Sequence, residues 1–599
     1  MSLPFAFFDD ARHGSAVLYQ KYQKSCFLSS VKLAQLDDEL SCGWQSGWHA
    51  VITVDYEYGH ALQTLPETTA GYLVLHWFAE CIDIPDADAW LQQHMKHEPA
   101  GISSPRQSVE HADYCAAIES IQNAIARGET YQINYTTRLH LNSYGDPIKL
   151  YKRLRQPVPY ATLAYLPVLE GLSTWTLCFS PELFLDIDQS GLITSEPMKG
   201  TAPILNDGQD EMRADTLRND PKNRAENIMI VDLLRNDLSK ITTLGGLKVP
   251  EPFKVSAYGS VWQMTTAIEA QAKPDTRPSD IIRATFPCGS ITGAPKRMSM
   301  HIISTLETSS RGLYTGSIGY LKPCKTGLGF YGTLNVVIRT LQLQQQADHT
   351  YNGIYGVGSG IVVDSDAQSE YEECGWKARF LSNLRPEFDL FETVAVYNGK
   401  AGLLDKHLQR LAASAFALNI AYPADALVLT QAYLAQLPPI GHYRFKITLN
   451  AQGLLSYSDA PISDLSTPQL VLLSNVTLPK HDYLRRFKTT SRQIWDQGWQ
   501  SAEQQGAFDS LFFNQDGVLL EGGRSNVFVR LADQWHTPAL DLDILNGVMR
   551  QQILSQPQLY LNTHHVYESH LNRNQLLNAD EIKLSNALRG LIPVELIIK

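Results

Sequence analysis

The sequence predicts an α+β fold in two domains, and three observations support this prediction. The chain has 599 residues, which is too many for a single hydrophobic core. Helical periodicity and β-rich runs are mixed along its whole length. Near residues 380–388, a run of helical character gives way to strand-like alternation. We therefore divide the chain into domains 1–382 and 383–599, and we expect them to abut because no flexible tether separates them.

Each domain contains both kinds of element, which is why the class is α+β. In the first domain, the periodicity predicts helices at 109–129 and 225–238 and β-rich runs at 160–169 and 333–344. The second domain opens with a strand that turns at Asn398-Gly399, a dipeptide typical of tight hairpins. Further elements are predicted there, namely a helix at 404–418 and strands at 442–450, 510–523 and 525–531.

Composition and charge exclude several classes of protein. The chain is 44% hydrophobic and 19% charged, as in an ordinary globular protein. Its net charge of -12 argues against a nucleic-acid or anionic-membrane partner. The short apolar run at the N-terminus is stopped by Asp9 and Asp10, so we expect no secretory signal, and no apolar stretch is long enough to span a bilayer. The eight cysteines are scattered singly, which favours the cytoplasm.

One lysine has an unusual setting. Residues 196–203 read EPMKGTAP, so Lys199 lies among small and apolar residues. Burial of an ammonium group is costly, and a lysine in a tight apolar loop is therefore paired or used chemically. From this segment alone, a surface lysine in a polar turn remains the usual interpretation.

Two pairs of polar residues have helical spacing. Asn223 and Glu226 lie three residues apart, as do Glu370 and Glu373, so each pair shares a helix face. Two acidic faces could converge on Mg²⁺, which prefers one or two carboxylates together with water and substrate oxygens. From spacing alone, solvated helix faces are the favoured interpretation. The glycine-rich segments 289–297 and 356–360 match neither a phosphate loop nor a dinucleotide-binding fingerprint.

Several motifs in the first domain occur in the order of a known family. They are YQINYTTRL (131–139), SPELF (180–184), PMKGT (197–201), RAENIMIVDLLRNDL (224–238), FPCGSITGAPKRMSM (286–300), YTGSIGY (314–320), VVIRT (336–340) and GVGSGIVVDSDAQSEYEE (356–373). By these motifs the chain resembles the chorismate-utilising enzymes, the family of anthranilate, isochorismate, salicylate and aminodeoxychorismate synthases. The resemblance implies a two-sheet α/β sandwich that binds chorismate.

The same resemblance implies roles for individual residues. A lysine in the P-x-K-G-T motif distinguishes aminodeoxychorismate synthase, so Lys199 is expected to be a nucleophile that adds to C2 of chorismate. Glu182 matches the general acid, Glu226 and Glu373 match the Mg²⁺ ligands, and Glu370 is a nearby carboxylate. The expected substrate contacts are Gly200, Thr201, Tyr314, Arg339, Gly358, Ser359 and Gly360.

The chain departs from the family pattern at two positions. Gln263 stands where many relatives have histidine, and a glutamine cannot donate a proton through a charged form. Asn223 replaces an acidic residue one helical turn before Glu226, which alters the charge expected near the metal.

Residues 388–599 are similar to a second family, the fold-type IV pyridoxal-phosphate enzymes, which include transaminases and aminodeoxychorismate lyase. FETVAVYNGK, HLQRLAASAFAL, FKTTSR, LEGGRSNVFV, ILNGVMR and LSNALRGLIPV fall in the family order. Lys488 matches the lysine that binds the cofactor covalently, Glu521 the carboxylate at the ring nitrogen, and Arg410 the phosphate anchor. The remaining expected cofactor contacts are Ser525, Asn526, Gly547, Val548, Met549 and Asn586. Relatives often carry a hydroxyl residue where Met549 and Ala587 stand, so contacts there can come only from the main chain.

Together, the two resemblances imply an enzyme that makes 4-aminobenzoate from chorismate in two steps. No stretch resembles an amidotransferase, so ammonia is expected from a separate glutamine amidotransferase subunit. The second resemblance also allows a homodimer through the pyridoxal-phosphate domain. Two alternatives stay open: an anthranilate or isochorismate synthase fused to a transaminase, and a chain in which one half is a non-catalytic module.

Overall fold

In the computed structural model, which describes residues 4–66, 69–258, 261–466 and 468–597, the first domain is built on antiparallel strands. The strands are β1 (Phe5–Asp10), β2 (Ser15–Leu28), β3 (His49–Val54), β4 (Leu73–Ile84), β5 (Gly101–Ile102), β6 (Arg106–Gln107), β7 (Gln132–Tyr144), β8 (Tyr160–Pro167), β9 (Ser173–Ser180), β10 (Leu183–Ile187), β11 (Leu192–Glu196), β12 (Met198–Pro203), β13 (Thr242–Lys248), β14 (Lys254–Tyr258), β15 (Val261–Thr265), β16 (Ile268–Ala272), β17 (Gly293–Ala294), β18 (Ser317–Pro323), β19 (Phe330–Val336), β20 (Thr340–Gln345) and β21 (Tyr351–Ile361). The helices are α1 (Gln35–Gln45), α2 (Tyr58–Leu62), α3 (Ala87–His94), α4 (His111–Ala126), α5 (Pro147–Leu154), α6 (Asp210–Asn219), α7 (Pro221–Ser239), α8 (Pro278–Thr285), α9 (Lys296–Leu306), α10 (Ala367–Lys377) and α11 (Arg379–Ser382).

Strand pairing in the first domain is continuous. It runs β13-β16-β11-β10-β19-β18-β3-β4-β2-β1-β8-β9-β20-β21-β7, and the short strands β5, β6 and β17 also pair with β7. A separate small sheet has the order β12-β15-β14. The sheets and helices confirm the predicted α+β class. The strands of the large sheet form one continuously paired array, and the two halves of this array form two layers.

Alternation along the strands shows how the layers pack. On β1, Phe5 and Phe7 pack with α3, α4 and α5, whereas Ala6 lies in a core between the two halves of the array. On β3, Ile52 packs with α1, α7 and α8, and Val51 lies in the same central core. Neighbouring residues of a strand point to opposite faces of the sheet. Each half of the array therefore packs against helices with one face and against the other half with its second face.

The predicted elements of the first domain are present, with one refinement. The helices at 109–129 and 225–238 appear as α4 and α7, and the run at 160–169 appears as β8. The β-rich run at 333–344 is divided into β19 and β20. Between them Arg339 adopts a φ of 51°, in the left-handed region, which interrupts the extended backbone.

The second domain contains two sheets. Its strands are β22 (Leu390–Tyr397), β23 (Lys400–Ala401), β24 (His442–Leu449), β25 (Leu455–Pro461), β26 (Gln469–Leu478), β27 (Asp509–Asn514), β28 (Leu519–Gly522), β29 (Asn526–Leu531), β30 (Gln534–Pro538), β31 (Val566–Ser569), β32 (Glu581–Asn586) and β33 (Gly590–Leu596). Its helices are α12 (Leu404–Ala417), α13 (Ala426–Leu434), α14 (Gln493–Gln504), α15 (Val548–Ser555), α16 (Pro557–Leu561) and α17 (Arg573–Leu577). The sheet orders are β23-β22-β24-β25 and β28-β27-β26-β33-β32-β29-β30-β31.

The hairpin predicted at the start of the second domain is present. Tyr397 pairs with Lys400 across a two-residue turn, and both Asn398 and Gly399 have positive φ, as this kind of hairpin requires. Residues 383–389 lie outside every helix and strand. Beside this connection, Asn419 Nδ2 of the second domain donates to the Leu381 carbonyl of the first. Among the described residues, no helix is both long and apolar enough to cross a membrane.

Candidate active sites

Lys199 lies on a strand instead of in the expected loop. It belongs to β12, in which Met198 pairs with Thr265 and Thr201 pairs with Gln263, with an irregularity between these positions. Gly200 has a φ of 88°, which suits a glycine and accounts for the irregularity. The lysine side chain is 17% exposed, and its Nζ lies 3.5 Å from Glu226 Oε2 on α7. The tertiary structure therefore pairs this cation with a carboxylate from a different element.

Glu182 lies in the turn between β9 and β10 and is almost completely buried. Burial raises the pKa of Glu182 to about 7, against the lowering effects of Ser290 and of the Lys199 and Arg339 charges. Within the described part of the chain, its Oε1 has no hydrogen-bond partner. A buried carboxyl that is half protonated near neutral pH suits a proton donor.

Arg339 lies at the bend between β19 and β20, close enough for its charge to act on Glu182. Burial lowers the pKa of its guanidinium, although the group remains a cation. Tyr314 packs on Gly356 of β21, where a Cβ atom would come within 2.4 Å of its ring. The Arg138 guanidinium lies 5.2 Å from the centre of the same ring, within range of a cation–π contact.

The glycine strand β21 passes beside the Lys199 amine. A Cβ atom at Gly360 would lie 2.7 Å from Lys199 Nζ and 2.2 Å from Gln132 Nε2. A side chain at this position would therefore displace both groups. Ser359 is buried, with its hydroxyl 3.5 Å from that of Tyr114, and the Gly358 carbonyl accepts a hydrogen bond from Lys377.

The two departures from the family pattern lie next to β12. Gln263 Nε2 donates to Thr201 Oγ1 at 2.9 Å, so the glutamine orients a predicted substrate contact. Asn223 donates to Asp220 at the start of α7, and its Oδ1 would lie 2.9 Å from a Cβ atom on Gly200.

The three predicted metal carboxylates already have protein partners. Glu226 pairs with Lys199, Glu373 pairs with Lys377 at 2.7 Å, and Glu370 accepts from Ser365 at 2.8 Å. In the described ranges, no group of three or more acidic, histidine or cysteine side chains could hold a metal ion. The donors are nevertheless hard carboxylate oxygens, which is the chemistry that Mg²⁺ prefers, and this ion often needs only one or two of them.

The second candidate site is centred on Lys488. Its carbonyl accepts a hydrogen bond from Phe391 N, and its Nζ lies 4.6 Å from the centre of the Phe391 ring. Burial and the charges of Arg492 and Arg410 lower the pKa of Lys488 to about 7, against the raising effects of Glu392 and Glu521. At neutral pH, about half of this amine is therefore free to react.

Glu521 provides a buried carboxyl in the same electrostatic environment. Its Oε2 accepts from the Leu545 backbone N–H at 3.2 Å and from Asn526 Nδ2 at 3.4 Å. Burial raises the pKa of Glu521 to about 8, despite the lowering effect of Arg485. The carboxyl can thus hold a proton at neutral pH and share it with a buried ring nitrogen.

Arg410 on α12 is fixed by a buried carboxylate. Its Nε and Nη2 donate to Glu392 at 2.8 and 2.6 Å, and its Nη1 donates to the Asn546 carbonyl. His407, one helical turn earlier, places Nδ1 at 2.6 Å from the same carboxylate. Although Glu392 is buried, Arg410 and His407 hold its pKa at about 2.

The remaining predicted cofactor contacts surround the start of α15. Gly547 caps this helix, followed by Val548 and Met549, so its first backbone N–H groups are available for an anion. A Cβ atom on Gly547 would collide with Asn526 at 2.1 Å. Two other predicted side chains are engaged elsewhere: Ser525 donates to Asp509, and Asn586 donates to the Arg524 carbonyl. A buried lysine, a buried carboxyl, a fixed guanidinium and a helix N-terminus together fit pyridoxal phosphate.

Four residues of these sites were not assigned from the sequence. Gln132 lies beside Lys199, and Glu392, His407 and Arg492 act on Arg410 or Lys488. All four lie within the quoted motifs, so motif membership was an available signal. Arg492 lies only four residues from Lys488, whereas Gln132 and Glu392 meet their partners through packing of different elements.

Comparison with known proteins finds a family profile for each of two parts of the chain. Residues 6–383 match the profile of chorismate binding enzymes, and residues 389–597 match that of class IV amino-transferases. Aminodeoxychorismate synthase component 1 of Escherichia coli K12 is 36% identical over 344 residues, which cover 53% of this chain and 72% of that protein. A chloroplastic aminodeoxychorismate synthase of Oryza sativa is 40% identical over 271 residues, which cover 45% of this chain but only 29% of the rice protein.

A solved structure supports the fold of the first domain. The isochorismate synthase of Bacillus anthracis that is specific for 2,3-dihydroxybenzoate superimposes with a TM-score of 0.52 at 19% identity. The alignment covers 64% of this chain and 96% of that protein. With the profile match over residues 6–383 and the identity to component 1, it follows that this chain belongs to the family of chorismate binding enzymes.

Proposed function

We propose that the chain is a bifunctional enzyme that makes 4-aminobenzoate from chorismate. Its first domain would convert chorismate and ammonia to 4-amino-4-deoxychorismate, and its second would release pyruvate from that intermediate. The observation that carries this proposal is the position of Lys199, which lies within reach of Glu226 and in the electrostatic field of Glu182, in a domain of the chorismate binding family. The names of the relatives from E. coli and rice support it.

In the first reaction, Nζ of Lys199 adds to C2 of the chorismate ring while the bond between C4 and its hydroxyl breaks. A hydroxyl is a poor leaving group, and protonated Glu182 supplies the proton with which it leaves as water. Ammonia then attacks C4, the bond from C2 to Nζ breaks, and its electron pair returns to the lysine. The ring diene is restored, with an amino group at C4.

The remaining residues of the first site bind and orient the substrate. Arg339 suits a bidentate hold on a carboxylate. Thr201, oriented by Gln263, and the backbone of 358–360 supply further polar contacts. Glu226 and Glu373, with Glu370 nearby, would hold Mg²⁺, which would neutralise the charge of the ring carboxylate.

In the second reaction, bound pyridoxal phosphate supplies an electron sink for the carbon that carries the amine. Lys488 removes the proton from C4 of the intermediate, and its pKa of about 7 makes the neutral base available. Glu521, whose pKa burial raises to about 8, would hold a proton at the cofactor ring, and Arg410 and the start of α15 would hold the phosphate. Loss of the C4 proton lets the ring become aromatic as pyruvate leaves.

We assign the supply of ammonia to a separate glutamine amidotransferase subunit. No part of the sequence resembles the nucleophilic cysteine elbow and histidine dyad of such enzymes.

The eight cysteines are all unpaired, which supports a reducing compartment and hence the cytoplasm.

Incubation of the purified chain with chorismate, Mg²⁺, ammonium and pyridoxal phosphate tests the proposal. We expect 4-aminobenzoate and equimolar pyruvate, with the aromatic product identified by chromatography against both 2- and 4-aminobenzoate, since these isomers have one mass. Omission of pyridoxal phosphate should leave 4-amino-4-deoxychorismate. Formation of 2-aminobenzoate or isochorismate instead would overturn the assignment of the first domain.

A further inference from the structure

The segment that leads to Lys488 lies between the two domains. Asp482 caps the short turn Tyr483–Arg486, and Phe487 connects this turn to Lys488. Leu484 and Phe487 pack against the core of the second domain. Tyr483 and Arg486 of the same segment contact the first domain, at the end of β7 and at the turn between β20 and β21.

The first contact is an aromatic stack. Tyr144, the last residue of β7, is only 2% exposed and belongs to the same core as Phe388 and Leu390 of the second domain. Its ring stacks on Tyr483 with centroids 5.4 Å apart and planes at 22°. Tyr483 in turn contacts Phe487 edge-on at 5.1 Å. A side chain of the first domain is therefore one aromatic ring removed from the residue before Lys488.

The second contact is an ion pair at the turn between β20 and β21. Arg486 donates to Asp348 of this turn at 2.9 Å and to the buried Asp543 of the second domain at 2.8 Å. The rings of His349 and His481 also lie 5.2 Å apart. The Arg486–Asp348 pair is about one-third exposed, so we expect the stack on buried Tyr144 to matter more.

Both contacts lie at the ends of strands whose opposite ends reach the first site. β7 and β21 pair over eleven positions, from Ser143 with Tyr351 to Ile133 with Ile361. Gln132 and Gly360, at one end of this pair, lie beside Lys199. Tyr144 and Asp348, at the other end, contact the segment before Lys488. One pair of strands thus extends from the first site to the support of the second.

We propose that Tyr144 and Asp348 of the chorismate-binding domain are positioning residues for Lys488, so that the second site is complete only when the first domain is docked on it. The inference rests on the proposed role of Lys488 as the residue that binds pyridoxal phosphate. It concerns residues that touch neither substrate nor cofactor and act through Tyr483, Arg486 and Phe487.

The test uses the full chain carrying Tyr144→Ala, titrated with pyridoxal phosphate. We expect its dissociation constant to rise about two- to tenfold, the range that one aromatic pair supports. The pH midpoint of the visible absorbance of the bound cofactor should also shift. Borohydride trapping of the cofactor on Lys488, followed by peptide mass spectrometry, should slow to the same degree. Tyr144→Phe keeps the ring and should behave as the unmodified chain does.

A double-mutant cycle identifies the path of the effect. Tyr144→Ala and Tyr483→Ala together should weaken cofactor binding no more than the stronger single change, because both remove one contact. Fully additive effects would overturn the stack as the connection. Asp348→Asn should give a smaller change in the same direction.

Formation of 4-amino-4-deoxychorismate serves as the internal control for folding. It should be unchanged in Tyr144→Ala, and an unaltered cofactor affinity and pH midpoint in such a folded variant would refute the proposal. If Tyr144→Ala loses the first activity, Tyr144→Leu takes its place, because leucine keeps apolar volume without the ring. Its cofactor affinity and pH midpoint then test the proposal. Absence of cofactor trapping on Lys488 in the unmodified chain would instead refute the proposed function of the second domain.

Discussion

The Nζ atom of Lys199 on β12 lies 3.5 Å from Oε2 of Glu226 on α7. A single carboxylate therefore neighbours both the proposed nucleophile and the proposed metal site. Glu226 cannot give full charge to Mg²⁺ and remain the main partner of Lys199, so metal binding would weaken the ion pair. This relationship connects the chemistry of the amine with that of the metal.

Removal of the proposed nucleophile should separate the two activities. Lys199→Ala should lower formation of 4-amino-4-deoxychorismate by at least about 10³-fold, because the variant lacks the amine that forms the proposed covalent bond. Release of pyruvate from supplied intermediate should be unchanged. Lys222→Ala, at an exposed position on α7, is the matched control. Normal amination by Lys199→Ala, measured by chromatography, would remove the covalent role.

Chelation of the metal should act only on the first reaction. With EDTA present, we expect amination of chorismate to stop and release of pyruvate from supplied intermediate to continue. Glu226→Gln should raise the Mg²⁺ concentration needed for half-maximal rate, because a neutral amide is a weaker ligand. Glu372→Gln, on the same helix as Glu370 and Glu373, is the control. A first reaction indifferent to EDTA would contradict the assignment of all three carboxylates.

The first reaction should depend on pH through Glu182. Burial raises the pKa of this carboxyl to about 7, and an acid catalyst must be protonated, so kcat/KM should fall as the pH rises through about 7. Glu182→Gln should lower the rate by about 10²- to 10⁴-fold and abolish this limb of the profile.

The same ionisation should appear in the stability of the fold. The folded pKa of Glu182 lies above its ordinary value of 4.5, so the folded state binds this proton more tightly. Stability from this group is full below about pH 4.5 and is lost as the pH rises through about 7. Denaturant unfolding at pH 9 should therefore show Glu182→Gln to be more stable than the unmodified chain by up to about 3 kcal/mol. Equal stabilities at pH 9 would count against a buried titrating carboxyl.

Gly360 should tolerate no side chain without loss of the first activity. In Gly360→Ala, the new Cβ would lie 2.7 Å from Lys199 Nζ and 2.2 Å from Gln132 Nε2. Both atoms are the ends of flexible side chains, so we expect the variant to fold but the amine to be displaced, with a loss of about 10- to 100-fold in kcat. Gly375→Ala, where no atom lies within 4 Å, should retain full activity. Unchanged kcat in Gly360→Ala would mean that the amine is not confined at this strand.

Loss of the second lysine should reveal the intermediate. Lys488→Ala should still consume chorismate, accumulate 4-amino-4-deoxychorismate and produce at least about 10²-fold less 4-aminobenzoate. Lys480→Ala replaces an exposed lysine eight residues earlier. It serves as the control for loss of a lysine from this segment. Undiminished 4-aminobenzoate from Lys488→Ala would refute its role as base.

Prediction from the sequence succeeded where the signal is local. The turn at Asn398-Gly399 and the helices α4 and α7 were predicted because dipeptide preferences and periodicity act over a few residues. The setting of Lys199 was only partly predicted. Its apolar neighbours in the chain suggested a loop, whereas pairing of β12 with β15 makes this segment a strand.

The partners of the site residues could not be predicted from local sequence patterns. Arg410 was expected to anchor a phosphate, yet its fixation by Glu392 and the Asn546 carbonyl depends on β22 and the start of α15 meeting α12. The roles assigned to Ser525 and Asn586 as cofactor contacts stay predictions, and their side chains are bonded to Asp509 and to the Arg524 carbonyl.

By itself, the sequence determined which chemical groups are present, their order along the chain and the class of the fold. These properties follow from motifs and periodicity, which depend on neighbours a few residues apart. Only the tertiary structure decided that Glu226 faces Lys199, that burial and neighbouring charges bring the pKa of Glu182 and of Lys488 to about 7, and that Tyr144 stacks on Tyr483. The physical reason is that burial and charge at a site arise from packing of segments distant in the chain, for which no local pattern carries a signal.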